Sequence, residues 1–513
     1  MTSLWQDRLR SDWDAVPAAG GGRAIEDDAR YDVVVVGAGL TGLVTALLLL
    51  RAGRTVALLE SGRVGGLTTG GSTAKVSLLQ GTMYTRLLAE TAMKNAEAYL
   101  TMNREGQAWL LRYLDDHRVP YQVRDAFTYA GSPDAVAQVD DEQLAAARVG
   151  LSVEKVRDLD LPFPAFGAVR LRDQAQIDPV ATLTALADDV RHRGGVLVEG
   201  TRVRGVHALG AGPDARVLLE EGGSVRANRV ILATGTPILD RGLYFAKVSA
   251  HRSYGMAFRL PEDRPGYDGG MYVSADQPTR SVRTTPIVDA DGFGDAQGEL
   301  LLVGGNGHPV GREGSASELV ADLEDWTRRS FPGAVRTHAW SAQDYIPANP
   351  IPFTGWMPRT AGRVYFATGY AKWGMTNAVG SALRIAMEIL GDPPHWGKTI
   401  GRRATRPLSV AKGAANLGAV GREAALGWTI ALTTPLPEEA PAEGEAVVGH
   451  RGGVPVGRCT VGGRTSTVNA VCPHLGGVLG WNDQEKSWDC PLHGSRFTAE
   501  GTRIEGPATS DLS

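Results

Sequence analysis

The most specific chemistry in the chain lies in two short loops near its C-terminal end. Cys472-Pro473-His474-Leu475-Gly476-Gly477 is followed by Cys490-Pro491-Leu492-His493-Gly494-Ser495, with 15 residues between His474 and Cys490. Each loop offers one thiolate and one imidazole. Two such loops can hold a [2Fe–2S] pair, with both Cys on one iron and both His on the other, or a single tetrahedral zinc. Zinc loops usually space their two ligands more widely, so the one-residue Cys-x-His gap with Leu-Gly-Gly behind it favours the iron–sulfur pair. Neutral imidazoles in place of thiolates raise the reduction potential. Cys459, the third of three Cys, reads as a small buried residue rather than a ligand.

A second pattern stands near the N-terminus. Tyr31 to Val36 reads as a buried strand feeding into Gly37-Ala38-Gly39-Leu40-Thr41-Gly42, then an apolar helix, a second strand from Thr55 to Leu59, and Glu60 at its end. Gly37 allows a tight turn, Gly39 lets backbone approach a pyrophosphate, and Gly42 lets helix pack on strand. The helix N-terminus offers free N–H groups to phosphates, and Glu60 can accept from a ribose diol. The loop after it, with Ser61, Thr69, Ser72, Thr73 and Lys75, supplies small donors suited to a long cofactor, which points to FAD. Two more segments return to the same sheet. One runs from Val203 to the strand Arg229–Thr234 that ends at Gly235. The other is Val364–Gly369, leading through Lys372, Gly374 and Met375 into a helix starting near Thr376, whose positive end suits an anionic reduced flavin. No His follows the loop at 65–75 and no Cys lies in this region, so noncovalent FAD is expected. Val303 to Gly311 has its last Gly one place late and no apolar helix behind it, which argues against a nicotinamide site.

These residues need a scaffold, and the composition allows one. The 513 residues carry 53 Lys+Arg against 57 Asp+Glu, a formal charge of −4, with 43% apolar and 21% charged residues. That is an ordinary soluble globular composition with no reason to expect a nucleic-acid partner. No stretch reaches the roughly 18 apolar residues of a spanning helix, and the N-terminus lacks a secretory pattern, so the expectation is a cytoplasmic protein without a transmembrane segment. Residues 1–30 read as a polar arm. Strand-like and helix-like runs alternate from 31 to about 400, which predicts an α/β fold on a parallel sheet. FAD-binding parts are expected at about 31–110, 170–245 and 341–400. An inserted, mainly antiparallel substrate unit is expected at 111–169 and 246–340. A helical segment and Pro/Glu linker occupy 401–440, and 441–513 reads as a small all-β domain.

From about 31 to 395 the chain resembles the D-amino-acid-oxidase type of FAD-dependent oxidoreductase. Gln176-Ile177-Asp178-Pro179 is similar to that family's middle crossover, and Ser341-Ala342-Gln343-Asp344-Tyr345-Ile346-Pro347 with Pro352-Phe353-Thr354-Gly355 resembles its loop beside the flavin. Asn349 stands where an Asp is common. Residues 443–510 resemble a Rieske domain, through Trp481-Asn482-Asp483, Trp488-Asp489 and Arg496-Phe497. High-potential Rieske proteins carry an extra Cys in each loop, where this chain has Gly477 and Leu492, and a Tyr where it has Phe497. With fewer hydrogen bonds to sulfur, the resemblance implies a potential in the lower or middle part of the Rieske range.

Together the two modules imply a converter from two-electron organic donors to one-electron acceptors. The expected substrate is a small amine or amino-acid-like molecule giving hydride to the flavin, and the expected acceptor is a one-electron protein carrier or a quinone. Lys372 is a candidate beside the flavin ring, and Arg252 with Tyr254 are candidates for holding a substrate carboxylate. The rival readings are an NAD(P)H-dependent reductase feeding the cluster and a redox sensor or electron relay with no substrate of its own. The remaining His read as surface or packing residues.

Overall fold

Val33-Val34-Val35-Val36 carries branched side chains on both faces, which suits a strand covered on each side. It ends the strand Arg30–Val36, whose last four residues are buried. A computed structural model of the protein describes residues 1–8, 25–208, 214–261, 267, 269–286, 298–312, 314–402 and 407–513. In it this strand lies inside an eight-stranded sheet of order Phe353–Trp356, Val364–Thr368, Ser224–Leu232, Arg30–Val36, Val56–Leu59, Val196–Val198. The last five run parallel, and Val203–His207 with Ala215–Leu219 add an antiparallel hairpin. Val36 pairs with both Leu59 and Leu232, so three strands end level. Gly37, Glu60 and Ala233 therefore meet at the carboxyl edge, where sheets of this class bind ligands. Helices Leu40–Arg51, Pro179–His192 and Gly374–Leu390 cover one face through Leu43, Leu47, Leu186, Val379 and Ile385.

The second sheet has nine strands, with main order Val335–Pro347, Val248–Arg259, Glu299–Pro309, Arg280–Pro286, Met271–Ser274, Tyr121–Tyr129, Ala168–Ile177, Lys75–Val76. It is antiparallel apart from the pair Met271–Ser274 and Tyr121–Tyr129. Its extent differs from the boundaries read in the sequence. Ala168–Ile177 and all of Val335–Pro347 belong to it, because each pairs along its length with a neighbour in this sheet.

The expected N-terminal arm is in part an anchor. Leu4–Arg8 is helical with Leu4 and Trp5 buried, and Trp5 Nε1 donates to the Ser72 carbonyl at 2.9 Å; residues 9–24 lie outside the described residues. At the other end, helix Pro407–Thr433 precedes a three-stranded and a four-stranded antiparallel sheet around Cys459, Trp488 and Phe497. Among the described residues no helix is long and apolar enough to cross a membrane.

Candidate functional site

The glycines of the first turn are demanded by close approach. Gly37 takes φ +99°, and a Cβ on it would stand 2.4 Å from the Ala233 carbonyl oxygen. A Cβ on Gly42 would lie 1.9 Å from the Gly37 oxygen, so helix Leu40–Arg51 can start only against bare backbone. That helix has no side-chain cap of its own, which leaves its N-terminus suited to an anion. The Glu60 carboxylate accepts from Ala38 N at 2.7 Å and Gly62 N at 2.9 Å. It is thereby fixed beside the turn with lone pairs left over for a diol.

These groups open onto a cavity of about 590 Å³. Gly37, Ala38, Gly39, Glu60 and Ser61 line it at the end of the parallel strands, and Val203 and Gly235 lie on the same wall. Thr69, Ser72, Thr73 and Lys75 follow from the Gly/Ser/Thr loop, and Gly369, Lys372, Gly374 and Met375 from the approach to helix Gly374–Leu390. Gly42 and Thr376 are off the wall. Thr376 acts from behind: its Oγ1 donates to Asn103 Oδ1 at 2.5 Å and accepts from Gln80 Nε2 at 3.1 Å, holding Gln80 on the cavity surface. Lys75 is buried with Nζ 2.5 Å from Ser281 Oγ. Burial, and then Arg283, lower its pKa to about 7.

The second centre forms from two turns closed alike. Gly476 N donates to Cys472 O and Gly494 N to Cys490 O, both at 3.0 Å, with Gly476 and Gly494 at positive φ. The four candidate ligands come together as two pairs. The Cys472 and Cys490 thiols share a hydrogen bond, which lowers the first to about pKa 7 and raises the second. The His474 and His493 rings stand 5.1 Å apart at 84°. Both imidazoles bury Nδ1 without a hydrogen-bond partner, the vacant donor atoms a second iron needs. The thiols meet each other and the imidazoles meet each other, a two-plus-two donor set that suits a binuclear centre. Gly477 and Leu492 face each other, and a Cβ on Gly477 would be 2.6 Å from Leu492 Cγ.

The sequence profile of FAD-dependent oxidoreductases (DAO) matches residues 32–387, and that of the Rieske [2Fe–2S] domain matches 435–513. The chain belongs to the DAO family of FAD-dependent oxidoreductases. It binds FAD in this domain and a [2Fe–2S] cluster in the C-terminal Rieske domain. It is 28% identical over 496 residues to YhfW of Bacillus subtilis (strain 168), a protein named for a Rieske 2Fe–2S centre, covering 95% of this chain and 94% of that one. In fold, the glycine oxidase of Geobacillus kaustophilus superposes with TM-score 0.59 at 16% identity, over 74% of this chain and 100% of that one. The L-proline dehydrogenase of P. horikoshii does so with TM-score 0.57 at 14% identity, over 73% and 97%.

Within the flavin domain, Tyr254 lines the cavity and its hydroxyl lies 3.1 Å from His308 Nε2; burial holds its proton on well above the usual phenol range. Lys372 also lines the cavity, at φ +72°. Its Nζ rests where Gly307 has no side chain, for a Cβ there would be 2.0 Å away. Surrounding protein lowers its pKa, although the cavity itself leaves the side chain open to solvent. Asp344, on the same wall, accepts from the backbone N–H of Lys372 and Tyr345, and burial raises its pKa. The sequence reading gave Asp344, His308 and His251 no role. The signal for the first is its place in the Gln343-Asp344-Tyr345 segment, whereas single histidines on long strands carry none. His251 lines a second cavity of about 390 Å³ with Arg86 and Arg312, which shares Arg86 and Ile346 with the first. Burial, then Lys372, lower its pKa to about 4.

Arg252 corrects the sequence expectation. It is off the cavity wall and buried, donating to Glu485 Oε2 and Gln343 Oε1 at 2.9 Å and to Ser341 Oγ at 2.6 Å. Asp489 and Glu505 stand 3.9 and 3.6 Å away. Three carboxylates of the Rieske domain, shared with Arg496, occupy the guanidinium, because that domain covers this end of the sheet.

The Rieske domain docks on its own flavin domain with the imidazoles inward. His474 Nε2 lies 3.2 Å from Asp240 Oδ1, and Phe245 meets both imidazoles edge-on at centroid distances of 5.6 and 5.0 Å. Asp483 accepts from Ser315 Oγ at 2.7 Å and Ser317 Oγ at 2.5 Å at the start of helix Ala316–Ser330. Arg503 pairs with Glu220 at 2.6 Å.

Proposed function

We propose that the protein oxidises a small amine or amino-acid-like substrate and delivers the electrons one at a time to an external acceptor. FAD would accept hydride and the [2Fe–2S] cluster would relay single electrons. The observation that carries this reading is the fixed docking of the cluster loops against the wall of the flavin cavity. Gln343 lies on that wall and donates to Gly494 O, the residue after His493.

In this reading Gly37, Gly39 and the N-terminus of helix Leu40–Arg51 hold the pyrophosphate, and Glu60 the ribose. Gly374 and Met375 present a helix N-terminus to the ring. Tyr254 and Lys372 position substrate at the far end. A phenol that keeps its proton can donate to a substrate oxygen, and a lysine of lowered pKa can take up or release a proton at Nζ. The second cavity, with Arg86 and Arg312, gives an electropositive approach. Two fold neighbours are named for oxidation of glycine and dehydrogenation of L-proline, both C–N donors, which supports the substrate class.

The acceptor is proposed to be a protein carrier. Asp240 and Phe245 cover the imidazole edges that a quinone would have to reach. A reducing, cytoplasmic setting completes the reading, since three cysteines, two of them on the cluster loops, are too few for a disulfide framework.

Anaerobic mixing with a panel of amines and amino acids tests it. The expected result is flavin bleaching followed by the EPR signal of a reduced cluster. Rapid bleaching by NADH with none by any amine would instead make the protein a nicotinamide-fed reductase.

A further inference from the structure

The flavin cavity is not walled by the flavin domain alone. Arg503, Ile504, Glu505, Gly506, Ala508 and Thr509, from the last strand of the Rieske domain and the turn after it, line it beside Glu60, Thr201, Arg202 and Val203. We infer that this Rieske segment is part of the FAD site, so that the cofactor is clasped between two domains and the flavin domain alone offers an incomplete site.

The segment is held from both sides. On the flavin side, Arg202 Nη2 donates to Arg503 O at 3.3 Å and Arg503 Nη2 to Glu220 Oε1 at 2.6 Å. On the Rieske side, Ala508 N donates to Ser495 Oγ at 3.0 Å and Arg496 pairs with Glu505 at 3.1 Å. Ser495 also hydrogen-bonds the Cys472 thiol, so one short chain of bonds runs from a cluster ligand to the cofactor cavity.

Arg503 supplies the mark of a ligand. Its side chain is 2% exposed, yet Nε is buried with no hydrogen-bond partner. Arg202 lies on the same wall, and partial burial together with Arg503 lowers its pKa. Arg202 is 25% exposed and Arg503 is buried with an idle donor. The two cations share the single carboxylate of Glu220, which leaves a net positive charge on this wall in need of hydrogen-bond acceptors. A dinucleotide carrying two phosphate charges and ribose acceptors supplies them.

The test uses the full chain. Thr509 lines the cavity with its side chain exposed, so Thr509→Trp should fill part of the site. The expected result is FAD affinity weakened by about tenfold or more, read by flavin fluorescence on titration, with an unchanged cluster EPR signal. Thr502→Trp, exposed on the same domain and off the wall, should bind FAD like wild type. Wild-type FAD affinity in Thr509→Trp overturns the inference. If the substitution also costs the cluster, amide exchange in the unmutated full chain decides. FAD loading should slow exchange across Ile504–Thr509 by about tenfold, and equal exchange with and without FAD overturns the inference.

Discussion

Gln343 Nε2 donates to the carbonyl oxygen of Gly494 at 2.8 Å, across the boundary between the two domains. The approach is close enough to exclude a side chain at 494, where a Cβ would stand 2.4 Å from Ala250 Cβ. Gln343→Leu keeps the volume and removes the bridge. Cluster reduction after flavin bleaching should slow by about tenfold, equivalent to about 1.4 kcal/mol in the barrier, while bleaching by substrate keeps its rate. Two-wavelength anaerobic stopped-flow separates the phases, and an unaltered second phase would remove Gln343 from the route.

Gly307→Ala should act through Lys372, whose Nζ occupies the space over the glycine. The new methyl would sit 2.0 Å from Lys372 Nζ and 2.8 Å from Ser253 Oγ. The flexible lysine gives way first, so the fold survives and the amine moves. Turnover should fall as far as in Lys372→Met, with FAD affinity unchanged. Full activity in Gly307→Ala beside an inactive Lys372→Met would show that the amine tolerates displacement.

Arg252→Met leaves Glu485, Asp489 and Glu505 facing Arg496 alone. Breaking a buried ionic group by removing one partner costs about 3–5 kcal/mol. The urea midpoint should drop accordingly, and KM for substrate should not change, because Arg252 is off the cavity wall. A raised KM at unchanged stability would return Arg252 to the role of carboxylate binder.

Lys75 makes stability depend on pH in a predictable direction. Its folded pKa, lowered to about 7 by burial, lies below the usual lysine value of 10.5. Between those values the unfolded chain holds the extra proton, so this residue makes stability rise with pH from about 7 to 10.5. Lys75→Met should flatten that part of the difference curve. Parallel denaturation curves for the two proteins across this window would contradict it.

Much of the chemistry is legible in the sequence because it is local. Gly37 to Glu60 is one strand–helix–strand unit, and Cys472 with His474 or Cys490 with His493 are neighbours on single loops. Their geometry follows from spacing. Arg252 is the opposite case, since its partners Glu485 and Glu505 lie more than two hundred residues on, and only the docked Rieske domain reveals what the guanidinium serves. Trp5 was hidden for the same reason. Two tryptophans, Trp5 and Trp13, in a polar arm carry no period, and the partner of Trp5, Ser72, lies in a distant loop. The strand Ala168–Ile177 shows a third limit, for β pairing is a choice among distant edges that alternation does not settle.

The clasps at Asp483, Asp240 and Arg503 engage three different elements of the flavin domain. A redox domain that swings between donor and acceptor spends part of every cycle in transit. This one is pinned, so its internal leg involves no travel. Thickening the solvent with glycerol would burden only the final handover to whatever molecule collects the charge.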